Sequence, residues 1–212
     1  LVGFVGARLT HLLVEVPLES LLQDPLTALK IWEGGLVFYG GPLAVIPFVV
    51  FYTKKHKLPM WKTMDVMAPG LVIAHAFGRL GCFGAGCCHG KPTDVWWGVK
   101  FHSELVEKYL RGVAVHPTQL YESFGLFWLF LGLIWIYRIR RIDGQVVLSY
   151  LLTYPILRSI IEEFRGDEIR GHALGGLLST SQLISLLVFL GAVGALILRL
   201  RTSPEALKKG LR

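Results

Sequence analysis

Three arginines occur where an apolar sequence makes charge expensive: Arg8 in VGARLTHLL, Arg79 in AFGRLG and Arg158 in YPILRSIIEEF. A guanidinium stays ionised at low dielectric and grips phosphate through paired N–H groups, so such residues suit an anionic lipid headgroup. Helical spacing puts Tyr154, Arg158 and Glu162 on one face. That face can be a buried Arg158–Glu162 pair holding helices together, or an anion site. Two arginines near the ends of different apolar stretches favour the anion. A second cluster, CFGAGCCHGKP, gathers Cys82, Cys87, Cys88 and His89. Three thiols and an imidazole could ligate zinc or an iron centre. Adjacent cysteines chelate one ion poorly, however, and this spacing matches no common zinc signature. A disulfide from Cys82 to Cys87 or Cys88 and a role as small packing residues stay open, and no metal is expected. Gly34, Gly35, Gly40 and Gly41 in GGLVFYGGP let backbones approach closely, with helix packing the simpler reading.

The elements carrying these residues read as membrane spans. The chain has 212 residues, 53% apolar and 17% charged, with a mean hydropathy of +0.53. That excludes disorder, and three cysteines are too few for a disulfide-stapled mini-protein. A spanning helix needs about 20 mainly apolar residues. Residues 36–53, 65–83, 119–137, 145–164 and 176–198 qualify, and 1–14 looks like the end of another span. The expected fold is an all-α polytopic transmembrane bundle of about five full spans plus a partial N-terminal one, forming a single domain over 1–212. Leu1 falls inside an apolar run, so a missing N-terminus is expected.

Charge orients the bundle. Lys54, Lys55, Lys57 and Lys62, then Arg138, Arg140 and Arg141, then Arg199, Arg201, Lys208, Lys209 and Arg212 follow alternate spans. The positive-inside rule makes their shared side cytoplasmic. The net charge of +7 is thereby explained by topology, with no nucleic acid expected. Segment 82–118 is then extracytoplasmic.

The blocks GARLTHLL, DPLTALKIWEGGLVFYGG, GRLGCF, HPTQLYES and YPILRSIIEEFRGD, in that order, resemble the bacterial phosphatidylglycerol–prolipoprotein diacylglyceryl transferase family over most of residues 3–200. The resemblance implies transfer of diacylglycerol from phosphatidylglycerol to the lipobox cysteine thiol of a prolipoprotein, with release of glycerol phosphate. It implies a multi-pass protein of the bacterial cytoplasmic (inner) membrane. Its partners would be phosphatidylglycerol, prolipoprotein signal peptides and membrane lipids, with no cofactor. Arg79 matches the family arginine that binds the phosphate. Tyr154 and Arg158 match residues needed for activity, Glu162 and Arg165 match polar residues on the same face, and Gly40 and Gly41 match a glycine pair. His116 belongs to the block His116-Pro117-x-Gln119-Leu120-Tyr121-Glu122 and is assigned to substrate binding.

Three departures bear on the general base. Tyr39 stands where the family has His, Cys82 replaces an Asn, and Ala85 and Cys87 replace an Asn and a Glu. The base must then be sought among Tyr39, His75, His116 and Tyr154, with Tyr39 first, because a tyrosine next to cations can serve. Two other readings remain: a non-enzymatic redox or metal-handling protein using Cys82, Cys87, Cys88 and His89, and a lipid-binding paralogue without catalysis. The topology is tested by membrane-impermeant thiol labelling of intact cells, scored above the native cysteines. A cysteine placed at Ser103 is expected to react from outside and one at Thr202 is not; the reverse inverts the topology.

Overall fold

The computed structural model describes residues 1–30, 34–35, 37, 40–104, 106, 108–166, 172–173 and 178–202. The chain falls into two compact units, Leu1–Thr63 and Met64–Arg212.

The first unit contains α1 (Val2–Val14), α2 (Leu18–Gln23), a 3-10 turn at Pro25–Leu29 and α3 (Gly40–Lys55). α1 packs on α3 through glycines. A Cβ at Gly40 would strike the Thr10 side chain and the Gly6 carbonyl, and one at Gly6 would strike Ala44 and Gly40. Small residues at a crossing let two backbones close in. Arg8 is buried, but its donors go to backbone carbonyls: Thr27, Ala28, Lys30, Gly34 and Gly35. Arg8 therefore organises the segment between α2 and α3. In that segment Asp24 caps the 3-10 turn, and its hydrogen bonds from Lys30 and Thr27 hold the carboxyl below its ordinary value.

The second unit takes in most of α4 (Met60–Ala85), then α5 (Thr118–Ile139), α6 (Gln145–Glu162) and α7 (Thr180–Thr202). α5 and α7 flank α6, and the Ser123 hydroxyl ties α5 to the Ala76 carbonyl of α4. Between α4 and α5 lies a small folded cap. Its strands β1 (Val99–Lys100) and β2 (Ala114–Val115) pair antiparallel. They cover a core of Phe101, Val106, Leu110 and Val115, against which Phe83 packs. A second ladder joins β3 (His172–Ala173) to β4 (Leu178–Ser179). The bundle is helical as expected, with these two-stranded ladders added outside the helices.

Among the described residues, three helices are long and apolar enough to cross a bilayer: Met60–Ala85, Thr118–Ile139 and Ser181–Thr202. Their outward faces carry large exposed apolar groups such as Phe77, Phe124, Trp128, Trp135 and Leu187. A soluble protein does not tolerate such a surface, whereas hydrocarbon solvates it. The protein is a helical membrane protein. The other expected spans differ for visible reasons. α3 has 16 residues with Pro47 inside, α1 has 13, and α6 carries Arg158 and Glu162.

Asp65 locks one end of the second unit. It is fully buried, and its oxygens accept the backbone N–H groups of Gly144, Val146 and Val147 at 2.8–2.9 Å. Gly144 takes φ 96°, which presents its N–H to the carboxylate. The first-turn donors of α6 are thus satisfied by a side chain from α4. Asp65→Ala is expected to cost about 2–3 kcal/mol, read as a lower thermal midpoint in detergent, with Asp65→Asn losing less.

Candidate functional site

The site is built around Glu122, in the second turn of α5 and 1% exposed. One oxygen lies 3.0 Å from Arg79 Nε. The other accepts the Tyr154 hydroxyl at 3.1 Å and lies 3.6 Å from His75 Nε2. His75 and Arg79 are one turn apart on α4, so both reach the same carboxylate. Tyr154 comes from α6, its ring 5.3 Å from that of His75. Three helices thus converge on a single acid.

One turn beyond Tyr154, Arg158 pairs with Glu162, one of the two arrangements the spacing allows. Among the described residues Arg158 Nη1 is buried without a hydrogen bond. Arg158 also feels the charges of Glu122 and Arg165. Arg165 follows α6, is buried, and bridges in β fashion to Gly90. Among the described residues the cluster brings the guanidiniums of Arg79, Arg158 and Arg165 together with the carboxylates of Glu122 and Glu162. On faces of α4 and α5 that carry none of these charged residues lies an apolar groove of about 460 Å³ lined by Ala76, Phe77, Leu80, Leu120, Phe124 and Phe127.

The loop after α4 is tied to α5. Gln119 Nε2 donates to the Cys87 carbonyl and Thr118 Oγ1 to the Cys88 carbonyl. The three cysteines are free thiols. Burial first, then the neighbouring thiols, pushes Cys87 up to about 12. Burial also works against a thiolate at Cys88, but the hydrogen bond from Arg165 and the charges of Arg165 and Arg79 outweigh it and hold Cys88 below its ordinary value.

Other expected site residues lie elsewhere. His116 belongs to the cap, where its Nδ1 is 3.1 Å from the Tyr121 hydroxyl and its ring meets Phe164. Gly40 and Gly41 open α3 in the first unit. Gly40 is needed there for the approach to α1, while a Cβ at Gly41 would meet only ordinary contact. Tyr39 lies outside the described residues.

A family model described as prolipoprotein diacylglyceryl transferase matches residues 1–198. The chain belongs to this family. It is 36% identical over 184 residues to the phosphatidylglycerol–prolipoprotein diacylglyceryl transferase of Clostridium tetani, covering 87% of this chain and 71% of that protein. It is 32% identical over 191 residues to the enzyme numbered 2 of Clostridium perfringens, covering 90% and 72%. With the Finegoldia magna enzyme it shares 31% over 207 residues, covering 97% and 76%.

Glu122 closes the block that begins at His116, and its sequence neighbours assign it no role. The signal was present: it is the sole charged residue of stretch 119–137. Removing one partner of a buried pair leaves the other charge uncompensated, which typically costs roughly 3–5 kcal/mol. Glu122→Ala is expected to lose stability on that scale in thermal unfolding. Glu122→Gln, which still accepts from Tyr154, is expected to lose less.

Proposed function

We propose that this chain transfers the diacylglyceryl group of phosphatidylglycerol to the lipobox cysteine thiol of a prolipoprotein, releasing glycerol phosphate. The reading is supported by family membership and carried by one observation: Arg79 and Arg158 both stand near the buried carboxylate of Glu122, on a bundle whose outward helix faces are apolar. A phosphodiester monoanion with acyl chains suits guanidiniums on helices whose outward faces are apolar. Arg79 and Arg158 hold the phosphate, with Arg165 and Glu162 setting the local charge. The acceptor thiol gives up its proton, and its sulfur forms a bond to the glyceryl carbon. The carbon–oxygen bond to phosphate breaks, and the leaving phosphate keeps the electron pair. Charge grows on the phosphate as it leaves, where fixed guanidiniums stabilise it most.

Of the base candidates, His75 is best supported, because Glu122 stands ready to compensate the imidazolium formed when the thiol proton is taken. Tyr154 already donates to Glu122 and serves to position that carboxylate. His116 helps dock the acceptor from the cap, and Gly40 and Gly41 keep α3 close to α1.

α3 and α6 complete five spans, with α1 as the partial one. Asp65 holding Gly144, and Arg199 donating to the Asp143 carbonyl, gather the basic Arg138, Arg140, Arg141, Arg199 and Arg201 at one end of the second unit. The positive-inside rule makes that end cytoplasmic. Arg79, Glu122 and Glu162, at the opposite helix ends, then face the outer leaflet of the bacterial inner membrane, where signal peptides of exported prolipoproteins arrive.

The test is transfer of labelled diacylglycerol from phosphatidylglycerol vesicles to a lipobox peptide by the purified chain. Arg79→Ala is expected to abolish transfer. Arg79→Lys keeps the charge beside Glu122, and hence the fold, but loses the two-pronged grip, so its rate is expected to fall at least about ten-fold. A near-normal rate in the Lys variant contradicts the phosphate assignment.

A further inference from the structure

The three cysteine Sγ atoms, Cys82, Cys87 and Cys88, all lie within 4.8 Å of one another. Three sulfurs each about 2.3 Å from a common ion stand about 4 Å apart in a trigonal plane, so at most a small contraction completes such a site. The chain works to hold this arrangement. Cys82 lies in the last turn of α4, and the Cys87 N–H donates back to its carbonyl at 3.2 Å. Cys88 adopts φ 61°, a left-handed conformation costly for a residue with a side chain. Its carbonyl is fixed by Thr118 at 3.0 Å, and that of Cys87 by Gln119 at 2.6 Å. Strain of this kind persists only where the surroundings over-determine it, and it concentrates at functional positions.

The donor set is all sulfur. His89, next in sequence, turns away: its ring stacks on Phe101 and its Nδ1 is 3.0 Å from the Gly90 carbonyl. Zinc on three protein ligands needs water as its fourth, and magnesium and calcium ask for oxygen, whereas a soft monovalent ion is satisfied by three thiolates alone. A monovalent ion on three thiolates leaves two negative charges, and Arg165 and Arg79 both act on Cys88. We propose that Cys82, Cys87 and Cys88 form a three-thiolate site for a soft thiophilic cation, with monovalent copper the best match. Binding releases the thiol protons to solvent and changes no oxidation state. The site does not depend on the transferase reading.

The test uses the full chain in detergent micelles, reduced and free of oxygen, titrated with monovalent copper against a chromophoric copper chelator. One equivalent is expected to be withdrawn from the chelator, with X-ray absorption showing three sulfurs at about 2.3 Å. Cys88→Ser is expected to leave two sulfurs and weaken binding on the order of ten-fold or more. Failure of the unmodified chain to withdraw copper, or a copper shell with fewer than three sulfurs, overturns the proposal. Both outcomes are read on unmodified protein, so a variant that fails to fold does not shield it, and neither bears on diacylglyceryl transfer.

Discussion

Glu122 is the charge on which the rest of the second unit depends. A buried carboxylate is tolerable only when its oxygens are met by cations and donors, and here Arg79, His75 and Tyr154 supply them from two other helices. The same contact fixes the guanidinium of Arg79, which on a free side chain would wander among many rotamers. On the proposed reading, a phosphate arriving here would meet donors already aimed, so little ordering would have to be done on binding.

Around that contact the helix ends are secured by tertiary groups. Asp65 caps α6 at one end. At the other end the cap is stitched to the bundle by its backbone: Gly90 donates to His116, and Lys91 donates to Phe164 beyond α6. These bonds, with the small core of Phe101, Val106, Leu110 and Val115, make the segment after α4 an ordered cover. The Trp97 indole donating to Tyr121 adds a further link from cap to α5. Rigid positioning of Arg79, Arg158 and Arg165 is thus a property of the whole helix-end assembly.

The parts of the site legible in sequence are those where chemistry conflicts with solvent. Arg79, Arg158 and Glu162 stand out because charge in an apolar run is expensive, and the i, i+4 spacing allows the Arg158–Glu162 pair that the structure contains. The ordered motif blocks pointed to the family that the comparison finds. Glu122 was not legible as a hub, since its partners lie on other helices. Arg8 drew the same attention as Arg79, yet its donors serve loop carbonyls whose placement no periodicity encodes. Asp65 carries no signal in the sequence, because its partners are backbone groups about 80 residues away, a separation set by tertiary packing. Spacing argued against convergence of the adjacent cysteines. It is the left-handed backbone at Cys88, which spacing does not report, that accompanies their meeting.

On the proposed reading, guanidiniums held by glutamate select a lipid by its phosphate. Native mass spectrometry of the full chain, released from vesicles containing equal phosphatidylglycerol and diacylglycerol of the same acyl composition, tests it directly. The account predicts retention of phosphatidylglycerol with diacylglycerol largely lost; equal retention of the two lipids would contradict it.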